Sequence, residues 1–417
     1  MSRRPHTTSS TGFAPRPAIL AGLLSFVAWA GCAAAADPPP GPHLKTGIDV
    51  LVENNHAKLH GKRVGLITNL TGHDRHRTPT IDLLHDHPDV DLVALFSPEH
   101  GIRGELDHPD IPDSNDPRTG LPIHSLYGER RAPSPEQLEP LDALLFDIKD
   151  IGCRFYTYFS TLVLAMEAAE AAGIRVIVAD RPNPIGGAVE GPVLNAPRSF
   201  VAAHKIPLRH GHTLGELARL VQAERFPALA FEVIACADGN PLDWFDTTGL
   251  PWTNPSPNMR SLQAATLYPG VALIEFCHIS VGRGTDSPFE WIGAPYINEH
   301  SLHEALVSSE LAGIGFIPVR FTPESGPFAG EECQGVRFVL RDRDLFQPVD
   351  LGIALGKILH RLHPDKIRIE RMDRLLGCPD TLRAIRADRP INEIRELWQP
   401  GLRDFEQRIA PHRLYPR

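Results

Sequence analysis

The 417-residue chain lacks the motifs on which several large enzyme classes depend. No GxGxxG follows its first strand-like run and no GxxxxGK[ST] occurs, so no backbone cradle for a nucleotide pyrophosphate is evident and no cofactor is expected. HExxH is absent despite 20 histidines, and no metal is expected at the site. No GxSxG elbow presents a serine nucleophile. Cysteine is scarce, six residues without a CxxC, which favours small buried thiols over a disulfide framework. No apolar run reaches the ~20 residues of a bilayer span, so no stable membrane span is expected. Basic excess is missing too. The formal charge is −9, and residues 1–36 carry three arginines and no acid, so without them it is −12. Nucleic acid, bound through phosphate neutralisation, is a poor partner for such a chain.

The first 36 residues read as a separate object. Arg3, Arg4 and Arg16 precede the apolar run AILAGLLSFVAWAG and then CAAAAD, the basic, apolar and small-residue order of an export signal. Cleavage near Ala36 and a periplasmic or extracellular location are expected, with Cys32 an alternative lipid-attachment point.

From residue 62 short apolar runs alternate with helical patterns. RVGLIT, VDLVALF, DALLFDI, IRVIVAD and ALAFEVIA are strand candidates. Between them lie the helix candidates TIDLLHD, SPEQLEPL (capped by Ser134), STLVLAMEAAEAAG (stopped by Gly173) and TLGELARLVQAE. The alternation predicts βαβ units and a buried parallel sheet, an α/β fold. Residues 246–259, DTTGLPWTNPSPNM, break the periodicity with three prolines. A boundary is expected near 258, giving a Rossmann-like catalytic domain over 46–258 and a smaller α+β domain over 259–417 that closes the cleft.

In an open parallel sheet ligands bind beyond the carboxyl ends of the strands. The residues there are Thr68-Asn69, then Glu99-His100, then Asp147 and Asp150 with Arg154, Tyr156 and Tyr158, then Asp180 and Asn183. Each alone reads equally well as a cap or turn residue. Together, carboxylates, an imidazole, a guanidinium and phenols on one rim suit a sugar, whose apolar faces stack on aromatic rings while acids protonate the leaving oxygen and steer water. Glu99, at a strand end, is the best general acid. Glu105, Asp150 and Glu190 are candidates for the second carboxylate, and His100 for a partner of Glu99. Arg103, Glu105 and Asp107 also fit a bracing role in the loop.

At these residues the sequence resembles a known family. GLITNLTG, FSPEHGIRGE, TGLPIHSLYG, LLFDIKDIGCRFYTY, ADRPNPIGG, EGPVL, IPLRHGHTLGELA and NPSPNM are similar to the DUF1343 family, the exo-β-N-acetylmuramidases, over about residues 46–417. The resemblance implies a Rossmann-like domain and a smaller C-terminal domain with the site between them. It also implies release of terminal N-acetylmuramic acid from peptidoglycan fragments without a nucleotide. It points to Glu99 as the acid and to Asn69, His100, Arg154, Tyr156, Asp180, Asn183 and His210 as pocket residues. SVGRGTDSPFEWIGAP adds Arg283 and Thr285, with Arg283 suited to the lactyl carboxylate. Three positions depart from the family pattern: Lys149 for Gln, His212 for Met, and Cys277-His278 for Thr-Asn. Two other classes remain open at this point, a non-catalytic muropeptide-binding envelope protein and a metal-dependent deacetylase or amidase.

Overall fold

The structure is a computed structural model that describes residues 44–99, 101–102, 112–128 and 130–417. The export-signal region, His100, Arg103, Glu105 and Asp107 therefore lie outside the described residues.

The apolar runs become strands because both faces of each must be covered. α1 (Gly47–Glu53) leads into β1 (Arg63–Thr68), which is buried at every residue but its first. α2 (Thr80–His85) and β2 (Asp91–Ser97) follow, then the short strands β3 (Ser114–Asn115) and β4 (Pro122–Ser125). After α3 (Pro135–Leu138), where Ser134 accepts from the Gln137 amide as expected of a cap, comes β5 (Ala143–Asp147), buried throughout. α4 (Tyr158–Ala172) ends on Gly173 at φ 70°, a left-handed position that favours glycine. β6 (Arg175–Ala179) precedes a short antiparallel pair, β7 (Glu190–Val193) and β8 (Pro207–Arg209). α5 (Leu214–Arg225), opened by a Thr213–Glu216 capping box, leads to β9 (Phe231–Ile234).

Seven strands make one sheet in the order β3-β4-β2-β1-β5-β6-β9, all parallel except the β3 edge. Leaving that edge aside, the chain winds outward from β1 in one direction and then from β5 in the other, the doubly wound order with its switch point between β1 and β5. Continuous burial of β1 and β5, rather than alternation, is the signature of a sheet covered on both faces.

The remainder carries α6 (Leu262–Val271), β10 (Trp291–Ala294), α7 (Glu299–Val307), β11 (Ile314–Phe321), β12 (Cys333–Leu340) and α8 (Pro348–Leu362). Its sheet is antiparallel, in the order β10-β12-β11. α9 (Asp373–Leu376), α10 (Pro379–Arg386) and α11 (Ile391–Ile409) complete the helices, and α11 packs back against β7. The cysteines described, Cys153, Cys236, Cys277, Cys333 and Cys378, are free and buried. No helix among the described residues is long and apolar enough to cross a membrane.

Two polar knots tie the late chain to the early sheet. The guanidinium of Arg154, wholly buried, donates to the carbonyls of Pro192, Ile206, Leu375 and Leu376 at 2.7–3.1 Å. The Tyr415 hydroxyl donates to Asp180 Oδ2 at 2.6 Å and accepts from the Cys236 amide at 2.9 Å.

Candidate active site

A cleft of about 720 Å³ opens beyond the carboxyl end of β2 and beside the start of α4. Glu99 lies in it, two residues past β2. Its Oε1 accepts from the Tyr127 hydroxyl at 2.8 Å and its Oε2 from the Thr157 hydroxyl at 2.7 Å. Tyr127 follows β4 and Thr157 immediately precedes α4, so the segments that leave β2, β4 and β5 converge on one carboxylate. Gly101, at φ 76°, turns the backbone away directly afterwards, and its amide donates to the Pro98 carbonyl at 3.2 Å.

An aromatic wall flanks the acid. Tyr156 packs edge-on to Tyr158 (5.0 Å between ring centres) and to Tyr268 (5.8 Å), and Tyr268 packs edge-on to Phe289 (4.7 Å). Phe155 meets Tyr268 at 5.4 Å. The Tyr158 hydroxyl donates to the Pro255 carbonyl, which ties the wall to the proline-rich 251–257 loop. The Tyr156 hydroxyl is buried beside those of Ser256 and Tyr158 without a well-formed hydrogen bond to either. Burial pushes both phenols above the ordinary tyrosine range, so each stays protonated at any working pH. An orphaned phenol facing a cleft is a hydrogen-bonding group waiting for a ligand.

Three arginines reach the same space. Arg283 is paired with Glu275 at 2.8 Å, and both line the cleft. Arg131 lies 4.3 Å from the centre of the Phe200 ring and Arg374 4.1 Å from that of Phe276. Neither has a carboxylate partner among the described residues. Glu275 is thus the second carboxylate of the cleft, two residues before the Cys277-His278 departure and without a motif of its own in the sequence. Tyr127, from TGLPIHSLYG, and Ser256, Asn258 and Met259, from NPSPNM, also line the cleft.

The structure takes several expected pocket residues elsewhere. Arg154 is consumed by its four carbonyls, and burial lowers its guanidinium to about 10. Asp180 accepts from Thr213, Tyr415 and the amides of Arg181 and Gly215; burial raises its carboxyl to about 6. Asn183 closes a turn, accepting from the Ile185 amide and donating to the His212 carbonyl. Asn69 accepts from the Thr71 amide and hydroxyl, also a local turn, although its side-chain nitrogen is buried without a partner. Asp150 and His210 form a buried pair, 3.3 Å apart, outside the cleft lining. Glu190 pairs with Arg209 and lines a different cleft beside Trp244 and Arg343. Thr285 bonds the Gly282 carbonyl and receives the Trp291 indole N–H within its own turn. Of the residues named from sequence, Glu99, Tyr156, Tyr158 and Arg283 come together in the cleft.

The departures Lys149, His212 and Cys277-His278 likewise stand away from the cleft lining. His278 packs against Phe328 and Tyr296.

A doubly wound α/β sheet with an acid-bearing, aromatic-walled and arginine-rimmed cleft beyond its carboxyl edge is the arrangement of a sugar-processing enzyme. The profile of the exo-β-N-acetylmuramidase NamZ N-terminal region matches residues 64–263, and that of the NamZ C-terminal region matches residues 266–415. The peptidoglycan β-N-acetylmuramidase NamZ of Bacillus subtilis (strain 168) is 39% identical over 408 residues, covering 95% of this chain and 99% of that protein. Two solved DUF1343 family proteins from Bacteroides fragilis share the fold. One has TM-score 0.84 and 36% identity, covering 90% of this chain and 100% of its own; the other has 0.72 and 29%, covering 89% and 99%. The chain belongs to the NamZ exo-β-N-acetylmuramidase family.

Proposed function

We propose that this protein is an exo-β-N-acetylmuramidase that hydrolyses the terminal non-reducing N-acetylmuramic acid from peptidoglycan fragments during cell-wall turnover. The observation that carries the reading is the Glu99 carboxylate, fixed by Tyr127 and Thr157 beside an aromatic wall. Glu99 acts as general acid, delivering its proton to the glycosidic oxygen as the bond breaks. Two hydroxyl donors, one per carboxylate oxygen, orient it toward the cleft. Tyr156 offers its unpartnered hydroxyl to the sugar, and Tyr268, Phe276 and Phe289 supply stacking faces.

The lactyl carboxylate of muramic acid calls for a guanidinium. Arg131 and Arg374 suit it better than Arg283 does, because Glu275 already offsets the Arg283 charge. Glu275 is the acid we assign as partner to Glu99. The basic, apolar and small-residue order of residues 1–36 supports export, and with it contact with peptidoglycan.

The test uses a chromogenic β-N-acetylmuramide, with the corresponding β-N-acetylglucosaminide as control. Release from the muramide alone, lost in Glu99→Gln, is the expected result. No release from either substrate, with muropeptide binding intact, would replace the enzyme reading with that of a sugar-binding protein.

A further inference from the structure

At the opposite, amino-terminal edge of the parallel sheet, two loops bring four titratable side chains together that the cleft does not use. One loop runs from α1 into β1 and carries His56 and His60; the other runs from α2 into β2 and carries His87 and Asp89. The ligand atoms of His60, His87 and Asp89 lie within 4.8 Å of one another. His56 stands behind them, buried, with its ring 4.3 Å from that of His87, and the His60 ring lies 5.7 Å from that of His87.

His56 is the telling residue. It is 5% exposed, and neither ring nitrogen has a hydrogen-bond partner. Its backbone and that of Asn55 hold left-handed values, φ 54° and 49°, which ordinary side chains avoid. A buried imidazole with both nitrogens idle costs desolvation without return, and the described chain supplies it no hydrogen-bond partner. The other two histidines make polar contacts that a bound ion would replace. His60 Nε2 lies 2.5 Å from the Asn55 carbonyl and His87 Nε2 3.1 Å from the Asn55 side-chain oxygen, while His87 Nδ1 accepts from the Asp89 amide at 3.2 Å. The Gly61 amide already joins the two loops through the Asp89 carbonyl at 3.1 Å.

From this geometry we infer that His60, His87 and Asp89, backed by His56, bind a divalent transition-metal ion of the zinc class. Imidazole nitrogens and one carboxylate are the donor set such ions take, at bond lengths of ~2.0–2.2 Å. Drawing the donors in to that range requires their atoms to approach to ~3.3 Å of one another, a matter of side-chain rotation on an open surface. The role is structural. The ion clamps the entries of β1 and β2, whereas Glu99 lies beyond the exit of β2 at the other end of the strand.

The experiment titrates the chelator-stripped full chain with zinc chloride and follows bound equivalents and melting temperature. A His60→Asn/His87→Asn double variant is compared with a His300→Asn/His303→Asn control on α7, and His56→Leu reports on the buried imidazole behind the three donors. Circular dichroism checks that each variant folds. One equivalent is expected in the wild type and the control, and the ion should raise the melting temperature by ~3 °C at a hundredfold excess over its Kd. The double variant should bind ~100-fold more weakly and His56→Leu ~10-fold. Equal binding by the double variant and the wild type, loss of the equivalent in the control, or no uptake by the wild type would each overturn the site. Loss of muramide hydrolysis on chelation would overturn its structural role.

Discussion

Two crevices lie along one edge of the parallel sheet. Between the ends of β1 and β5, at the switch point where doubly wound folds commonly lodge a ligand, the opening is about 20 Å³. Beyond β2 it is about 720 Å³. The small one is filled by matched partners. Asp147 takes Arg181 through both carboxylate oxygens and also the Thr80 hydroxyl, and Arg181 donates to the His73 carbonyl as well. Gly72 has no room for a side chain: a Cβ there would stand 1.9 Å from Thr68 Oγ1 and 3.0 Å from the Asp147 carbonyl. Lys149 donates to the Thr253 carbonyl beneath Trp252 and Phe245, and burial, with Arg181 near, holds its ammonium well below the ordinary lysine range. In the large one the polar groups stand around open space: Glu99 is held by two hydroxyls, and Arg131 and Arg374 lie against rings. The difference shows that topology nominates a rim and that local pairing decides which part of it stays open.

The comparison can be broken most forcefully at the filled crevice. Arg181→Met leaves Asp147 buried without its cation, and removing one partner of such a pair costs ~3–5 kcal/mol; urea denaturation should show that loss, with kcat of the folded fraction little changed. A kcat collapse in a stable variant would mean the filled crevice takes part in the chemistry. Glu99→Gln should do the reverse, lowering kcat by ~100-fold or more while the denaturation midpoint holds.

Acid should loosen the framework and not the cleft. His212 is fully buried, and burial, followed by Arg417, pushes its imidazole down to about 3. It is neutral in the fold and charged in the unfolded chain below its ordinary 6.5, so its stabilisation is full above 6.5 and is lost as pH falls toward 3. At pH 5 the loss is ~2 kcal/mol. His212→Met should therefore flatten the fall in melting temperature between pH 7.5 and 5, with His204, pushed down to about 4, left to supply a remainder. The smallest effect concerns specificity. Arg374→Gln or Arg131→Gln should raise KM for the muramide ~10-fold without changing kcat, as one charge-assisted contact is lost.

The central sheet was legible because its strands are doubly buried. RVGLIT, DALLFDI and IRVIVAD carry enough consecutive apolar residues to be recognised without alternation, and Gly173, Thr213 and Ser134 punctuate the helices. β4 and β7 escaped notice because Pro122 and Pro192 interrupt short runs, and α6 because Pro269 lies inside it. At the site, Glu99 was readable as an acid following a buried strand. Arg154 and Asp180 read the same way from sequence yet serve carbonyls, amides and hydroxyls, because what occupies a polar group is contributed by residues up to 235 positions away. Glu275 and Arg374 carried no strand-end signal, since neither lies on the parallel sheet.

The bond from Tyr415 to Asp180 has a consequence for how this chain could be divided. The family profiles part between residues 263 and 266, which invites expressing the first part alone or grafting it onto another partner. Such a fragment would retain the whole parallel sheet and Glu99. It would leave Asp180 without its phenol and Arg154 without the carbonyls of Leu375 and Leu376. Separate profiles therefore do not make separable polypeptides: recombination at that seam would have to carry the tail along, and a newly made chain cannot complete the partners of Arg154 and Asp180 until Leu375, Leu376 and Tyr415 have been translated.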